Sequence, residues 1–233
     1  MDAPLVILPG LICGPDMFDS QLAAFPGARA IGGFYGGART IEAMADHVIA
    51  QLPGQVSLLG HSMGARIALE IVRKAPERVA RLALVDTGVH PVAAGEREKR
   101  LALRDVGRRE GFAALVDRWL PPMIGASHRG NDVLVARLRA MCLTAGQDIF
   151  EAQIDALLAR PALDNLLPVI ACPTAVIVGA EDEWSPVAQH EDIARTIPGA
   201  TLCVIEGAGH MLPAEEPALL NRAIGEWLAQ SAG

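Results

Sequence analysis

Short apolar runs rich in β-branched residues alternate along this chain with amphipathic helical patterns, and that alternation limits the fold more than any other feature. The runs are Leu5–Leu8, Ala28–Ile31, Val56–Leu59, Leu82–Val85, Thr174–Val178 and Thr201–Ile205, with Ala28–Ile31 the weakest. Helical periodicity falls between them at Met17–Ala24, Ile41–Leu52, Met63–Ala75, Val187–Ile197 and Ala214–Leu228. Runs this short and continuous suit strands buried on both faces, so the pattern predicts an α/β fold with a mainly parallel central sheet and helices on both faces. In the last helix, Ala218, Leu219, Ile224, Trp227 and Leu228 are expected to share the buried face.

One interval breaks the alternation. From Gly88 to about Leu167 there is no convincing strand, and Arg, Ala and Leu recur at helical spacing, as in EREKRLALRDVGRREGFAALVDRWL. This interval reads as a helical insertion between two sheet strands, with Trp119, Pro121, Pro122 and Met123 in a break between helices. The expected organisation is a core built from 1–88 and 168–233, with 89–167 as a helical cap. Insertions at such an edge commonly act as lids over a site at the carboxyl ends of the strands. A chain of 233 residues lies within the range of one such domain.

Composition narrows the partners. The formal net charge is −7 and the Lys and Arg residues are scattered, which leaves no basic footprint for nucleic acid. Cys13, Cys142, Cys172 and Cys203 are too widely spaced for a metal cluster and read as small buried apolar residues. The start, MDAPLVILPG, has an acid where a signal peptide carries a base, and its apolar run ends at Pro9. No apolar run approaches the roughly 18 residues that a membrane span requires. These features predict a cytoplasmic protein with a small-molecule substrate, no membrane partner and no nucleic acid.

The chemistry is concentrated in QVSLLGHSMGARIALEIV, where Gly60-His61-Ser62-Met63-Gly64 fits G-x-S-x-G. The motif requires a strand before it and a helix after it, and both patterns are present. A sharp strand-to-helix turn strains the serine backbone and leaves room only for small neighbours. A turn serine would be the plain alternative to a nucleophile. A serine hydroxyl is a poor nucleophile until a base takes its proton, so a histidine oriented by a carboxylate must lie elsewhere. Of the six histidines, His47, His61, His128 and His190 sit in helical or tightly turned stretches. His90 follows a strand end and is a rival. His210, in EGAGHMLPAEEP, follows the last strand and precedes the final helix, which makes it the favoured base. For the acid, VIVGAEDEWSP offers Glu181, Asp182 and Glu183.

The chain order of serine, acid and histidine is that of the α/β-hydrolase fold. With it, GHSMGARIALEIVRKAPERVARLALVDTG, CPTAVIVGAEDEWSP and IEGAGHMLPAEEP resemble the elbow, acid loop and histidine loop of that family, in its small, lid-bearing, esterase-like group. The resemblance covers nearly the whole chain and implies one α/β-hydrolase domain. The family's G-x-x-D-x-x-x-P pattern fits Gly179, Asp182 and Pro186, which selects Asp182 as the acid. It also implies an oxyanion hole of two backbone N–H groups, one from Met63 and one from the loop after the first strand. Where the family usually carries a His-Gly pair, this chain has Pro9-Gly10, and by position the second donor is Leu11.

The leading expectation is a serine hydrolase of a small ester or thioester, needing no cofactor and no metal. The same triad would serve C–C bond or enol-lactone hydrolysis, acyl transfer or a lyase reaction. GHSMGARIAL also resembles the elbow of the family's menaquinone-pathway lyases, in which an arginine after the elbow matters, and Arg66 stands there. A third reading is a hydrolase-fold binding protein without turnover. Specificity is expected from the insertion and from loop side chains such as Leu11, Ile12, Trp119, Met123 and Trp184.

Overall fold

All six apolar runs form strands of one parallel sheet in the computed structural model, which describes residues 3–230. The strands are β1 (Leu5–Leu8), β2 (Arg29–Ala30), β3 (Val56–His61), β4 (Val79–Val85), β5 (Thr174–Gly179) and β6 (Thr201–Ile205), in the order β2-β1-β3-β4-β5-β6. Every residue of β1, β3, β4 and β5 is buried, as parallel strands covered on both faces must be. The chain leaves β1 toward β2 and then returns to place β3 on the other side of β1. That reversal opens a crevice at the carboxyl ends of β1 and β3, where ligands of such sheets bind.

Three strands run longer than their apolar runs, β5 only by Gly179. β3 continues through Gly60 and His61, which pair with Leu84 and Val85. β4 begins three residues before Leu82, and its polar Arg81 is buried by donating Nε–H to the carbonyl of Gln230 at 2.9 Å.

The helices before the insertion are α1 (Asp19–Ala24), α2 (Ile41–Ile49) and α3 (Met63–Lys74), with a 3-10 turn at Pro15–Phe18 leading into α1. Between β4 and β5 the chain is helical throughout its regular structure: α4 (Glu96–Glu110), α5 (Phe112–Trp119), α6 (Asp132–Leu143) and α7 (Gly146–Leu158). The expected break lies between α5 and α6, where Pro121 and Pro122 cannot continue the helix, but Trp119 is the last residue of α5 rather than part of the break. The chain then adds α8 (Val187–Thr196), α9 (Leu212–Glu215) and α10 (Pro217–Leu228).

The last pair corrects the expectation of one continuous helix from Ala214. Pro217 excludes helical geometry from the residue before it, and Glu216 sits at φ −127° and ψ 60°. The buried face of α10 is Leu220, Ala223, Ile224 and Trp227, while Ala218 is exposed, because it lies on the side of the helix opposite Trp227.

Where β1, β3 and α3 meet, there is no room for a side chain. A Cβ on Gly64 would lie 2.0 Å from the carbonyl oxygen of Leu8, and one on Gly60 would lie 2.4 Å from Cα of Ala65. Both neighbours are backbone, so neither can swing aside. Gly64→Ala should therefore lower the melting temperature by about 5 °C or more, by the usual cost of overpacking. Gly225→Ala, in α10 with nothing within 4 Å of the new methyl, should raise it. Thermal unfolding of the two variants checks this pair.

Candidate active site

Ser62 is the single residue between the end of β3 and the first residue of α3, at φ 54° and ψ −116°. A non-glycine residue holds such a conformation only when its surroundings impose it. Here its N–H donates to the Val85 carbonyl at 2.9 Å, and its own carbonyl accepts from the Thr87 hydroxyl at 3.0 Å. The hydroxyl is thereby aimed off the sheet. It donates to Nε2 of His210 at 2.8 Å, and Nδ1–H of His210 donates to Oδ2 of Asp182 at 2.8 Å. The structure thus brings together the three side chains singled out in the elbow, acid loop and histidine loop.

Asp182 is buried and fully engaged. Its Oδ1 accepts from the N–H groups of Trp184 and Ser185 at 2.8 and 2.9 Å, and Oδ2 also accepts from the Ser185 hydroxyl at 2.7 Å. Burial alone would push its pKa up. The charge and hydrogen bond of His210 and the two bonds from Ser185 outweigh burial and bring it from 3.8 to about 2. The two competing carboxylates serve elsewhere: Glu181 accepts from Ser127, and Glu183 accepts from Arg129 at 3.1 Å.

His210 is held by its backbone as well as its ring. Its N–H donates to the Met123 carbonyl at 2.9 Å, and its carbonyl accepts from Nε2–H of His61 at 2.8 Å. His61 is buried next to Ser62, and burial together with the nearby His210 lowers its pKa to about 3, so it stays neutral and donates. Its ring explains the residue before Leu11: a Cβ on Gly10 would lie 2.9 Å from Nδ1 of His61. The rival His90 is exposed, and among the described residues no hydrogen bond joins it to Ser62.

Three supporting residues escaped the sequence reading. Ser185 follows Asp182 by three positions, and an Asp that caps the N–H groups two and three residues on is a recognisable turn signal. Glu215 accepts from the N–H groups of Gly125, Gly209 and Met211 at 2.8, 3.1 and 2.8 Å, tying the histidine loop to the insertion. Asp86, at the end of β4, accepts from the Gly179 N–H at 3.0 Å and anchors the start of the acid loop. Asp86 carries no local signal, since Gly179 is 93 positions away, and the local bonds of Glu215 to Gly209 and Met211 do not reveal its bond to Gly125, 90 positions away.

The loop after β1 carries the remaining features. Among the described residues, the Leu11 N–H has no hydrogen-bond acceptor, and Met63, as the first residue of α3, has none within its helix. Both residues line a cavity of about 410 Å³ together with Ser62 and His210. Trp119, Met123 and Trp184 also line it. Ile12 does not: it is completely buried in the core, which corrects its expected place among the specificity residues. Among the described residues, no cluster of His, Cys, Asp or Glu could hold a metal ion, and no helix is long and apolar enough to cross a membrane.

Comparison with known proteins places these features in context. The family model described as alpha/beta hydrolase family matches residues 5–223. An esterase of known structure from Thermogutta terrifontis, described as thermophilic and malate-bound, is 31% identical, with a TM-score of 0.85 over 97% of this chain and 89% of that one. A pimeloyl-[acyl-carrier protein] methyl ester esterase from Aromatoleum aromaticum is 29% identical over 88% of this chain and 90% of its own length. A Bacillus subtilis protein named provisionally as a 2-succinyl-6-hydroxy-2,4-cyclohexadiene-1-carboxylate synthase is 27% identical over 75% of this chain. The chain spans 66% of that protein's length, and 66% and 65% of the lengths of relatives from Haemophilus influenzae and Variovorax paradoxus.

The depressed pKa of Asp182 has a consequence for stability. A carboxyl whose folded pKa lies below its unfolded value stabilises the fold above pH 3.8 and loses that contribution as pH falls through about 2. Between pH 4 and pH 2 the unfolding free energy of the wild type should therefore fall more steeply than that of Asp182→Asn. Urea unfolding of both proteins across this window, with parallel curves as the contrary result, checks the sign.

Proposed function

The chain belongs to the alpha/beta hydrolase family, and from that premise we propose that it is a serine hydrolase of small carboxylic esters or thioesters, with Ser62 as nucleophile. The observation that carries this reading is the relay from the strained serine to His210 and Asp182, with 2.8 Å at each step. Nε2 of His210 takes the hydroxyl proton as Oγ of Ser62 bonds to the acyl carbon. Charge develops on the carbonyl oxygen, for which the N–H groups of Leu11 and Met63 are the donors. The intermediate collapses, the alcohol or thiol leaves with the proton from His210, and water repeats the sequence to release the acid. Asp182 holds the ring in the tautomer whose Nε2 is free to accept, and stabilises the imidazolium.

The cavity wall favours one kind of substrate. Five basic side chains line it against two acidic ones, in a chain whose net charge is −7. Glu96 accepts from Arg160 and Arg100, and Arg160 also donates to the carbonyls of Leu157, His90 and Pro91. Arg66, one turn into α3, is not so engaged. It donates from Nη2 to the His90 carbonyl at 2.8 Å, while its buried Nη1 has no partner among the described residues. Burial and the nearby Arg160 lower its pKa to about 9, which leaves it charged at neutral pH and in want of an anion. An acyl group carrying its own carboxylate would supply one. The Thermogutta esterase is malate-bound, and malate is an acid of that kind.

Two outcomes test the reading. Ser62→Ala should lower esterase activity on a short acyl ester by at least about a thousandfold while the protein stays folded, and should abolish labelling by a fluorophosphonate. Activity within threefold of wild type would remove Ser62 from the mechanism. For the substrate class, Arg66→Met should cut kcat/KM on the monoester of a short dicarboxylic acid at least about tenfold more than on the corresponding neutral diester. Equal losses on the two would leave the cavity charge without a role in recognition.

A further inference from the structure

The loop that carries the Leu11 N–H is strained, and the atoms that hold it come from outside it. Gly10 to Cys13 form a turn closed by the Cys13 N–H on the Gly10 carbonyl at 3.2 Å. Ile12, its third residue, sits at φ 48°. That position suits glycine, and a β-branched side chain there is out of place. Relaxing Ile12 to negative φ would rotate the Leu11–Ile12 peptide and disturb the backbone on either side.

Two buried hydrogen bonds oppose the relaxation. The Tyr35 hydroxyl donates to the Pro9 carbonyl at 2.6 Å, fixing the entry to the turn. At the strained residue itself, the Ile12 N–H donates to Oε1 of Gln153 at 2.7 Å, across 141 positions of sequence. Gln153 lies on α7, in the helical insertion, and is 1% exposed. Its Nε2 is buried without a partner among the described residues, and it does not line the cavity. An unpaired buried amide is unfavourable for stability, so a side chain suited to packing alone would be apolar here. What the glutamine does contribute is its acceptor.

We propose that Gln153 is a positioning residue: through Oε1 it holds Ile12 in its strained form and so keeps the Leu11 N–H directed at the developing oxyanion. The insertion then completes the catalytic site as well as covering it. This inference rests on the serine-hydrolase reading and goes beyond it.

Gln153→Met, Gln153→Glu and Ile12→Gly separate this role from a packing role. The readouts are kcat and KM on a short p-nitrophenyl ester and Ki for a trifluoromethyl ketone, which forms an oxyanion on the nucleophile. Gln153→Met, which keeps the length and removes the acceptor, should lower kcat about tenfold or more, change KM less than about threefold and raise Ki by a factor similar to the loss in kcat. Gln153→Glu keeps an acceptor and should hold kcat within about threefold of wild type. Glycine accepts positive φ without strain, so Ile12→Gly added to Gln153→Met should recover most of the lost kcat. Should Gln153→Met alone fail to fold, Gln153→Glu and the double variant carry the test.

The proposal is overturned if kcat in Gln153→Met stays within twofold of wild type. It is also overturned if Gln153→Glu loses as much as Gln153→Met and the glycine recovers nothing. A wild-type protein whose Ser62 does not react with a fluorophosphonate would instead overturn the parent reading, and this inference with it.

Discussion

The backbone of Ser62, held at φ 54° and ψ −116° between β3 and α3, is the constraint around which the site is arranged. The conformation is unfavourable in itself, so it must be imposed by its surroundings. Hydrogen bonds to Val85 and Thr87 fix the serine peptide to the end of β4, and the glycines on either side let α3 approach β1 at backbone contact. The hydroxyl is then presented on a rigid support at the carboxyl edge of the sheet. The acid and histidine loops follow the neighbouring strands β5 and β6, so the sheet itself sets the spacing of the three groups.

The helical insertion is bound into this arrangement at several points. The Met123 carbonyl accepts from the His210 N–H, and the Gly125 N–H donates to Glu215, which also holds the histidine loop. Ser127 donates to Glu181 of the acid loop, and Gln153 holds the turn after β1. A cover that only opened and closed would not need bonds to each loop that bears a functional group. In the proposed reaction the break between α5 and α6 is part of the frame that orients the base, while α4 and α7 shape the charged cavity above the serine.

The sequence made much of this legible, and the limits have physical causes. Short continuous apolar runs with helical patterns between them located all six strands, because parallel strands buried on both faces leave little room for polar residues. The first half of β4 was obscured by Arg81, whose buried guanidinium is satisfied by a carbonyl near the other end of the chain. Local signals singled out Ser62 and His210 and narrowed the acid to three adjacent carboxylates, from which only the family pattern picks Asp182; these are the three side chains that hydrogen-bond in series. Gln153, Glu215 and Asp86 could not be found that way: each accepts from at least one backbone N–H group in a distant segment, and an isolated Gln, Glu or Asp does not reveal such a partner. Ile12 was misplaced because nothing in VILPGLICGP indicates which of two adjacent apolar residues faces the cavity.

The measurement that bears most directly on the account is a crystal structure of the protein after reaction with an alkyl fluorophosphonate, whose adduct imitates the tetrahedral intermediate. The account predicts phosphorus bonded to Oγ of Ser62, His210 and Asp182 in place, and the phosphonyl oxygen about 3 Å from both the Leu11 and Met63 nitrogens. An adduct on another residue, or one on Ser62 whose phosphonyl oxygen points away from those two nitrogens, would contradict it.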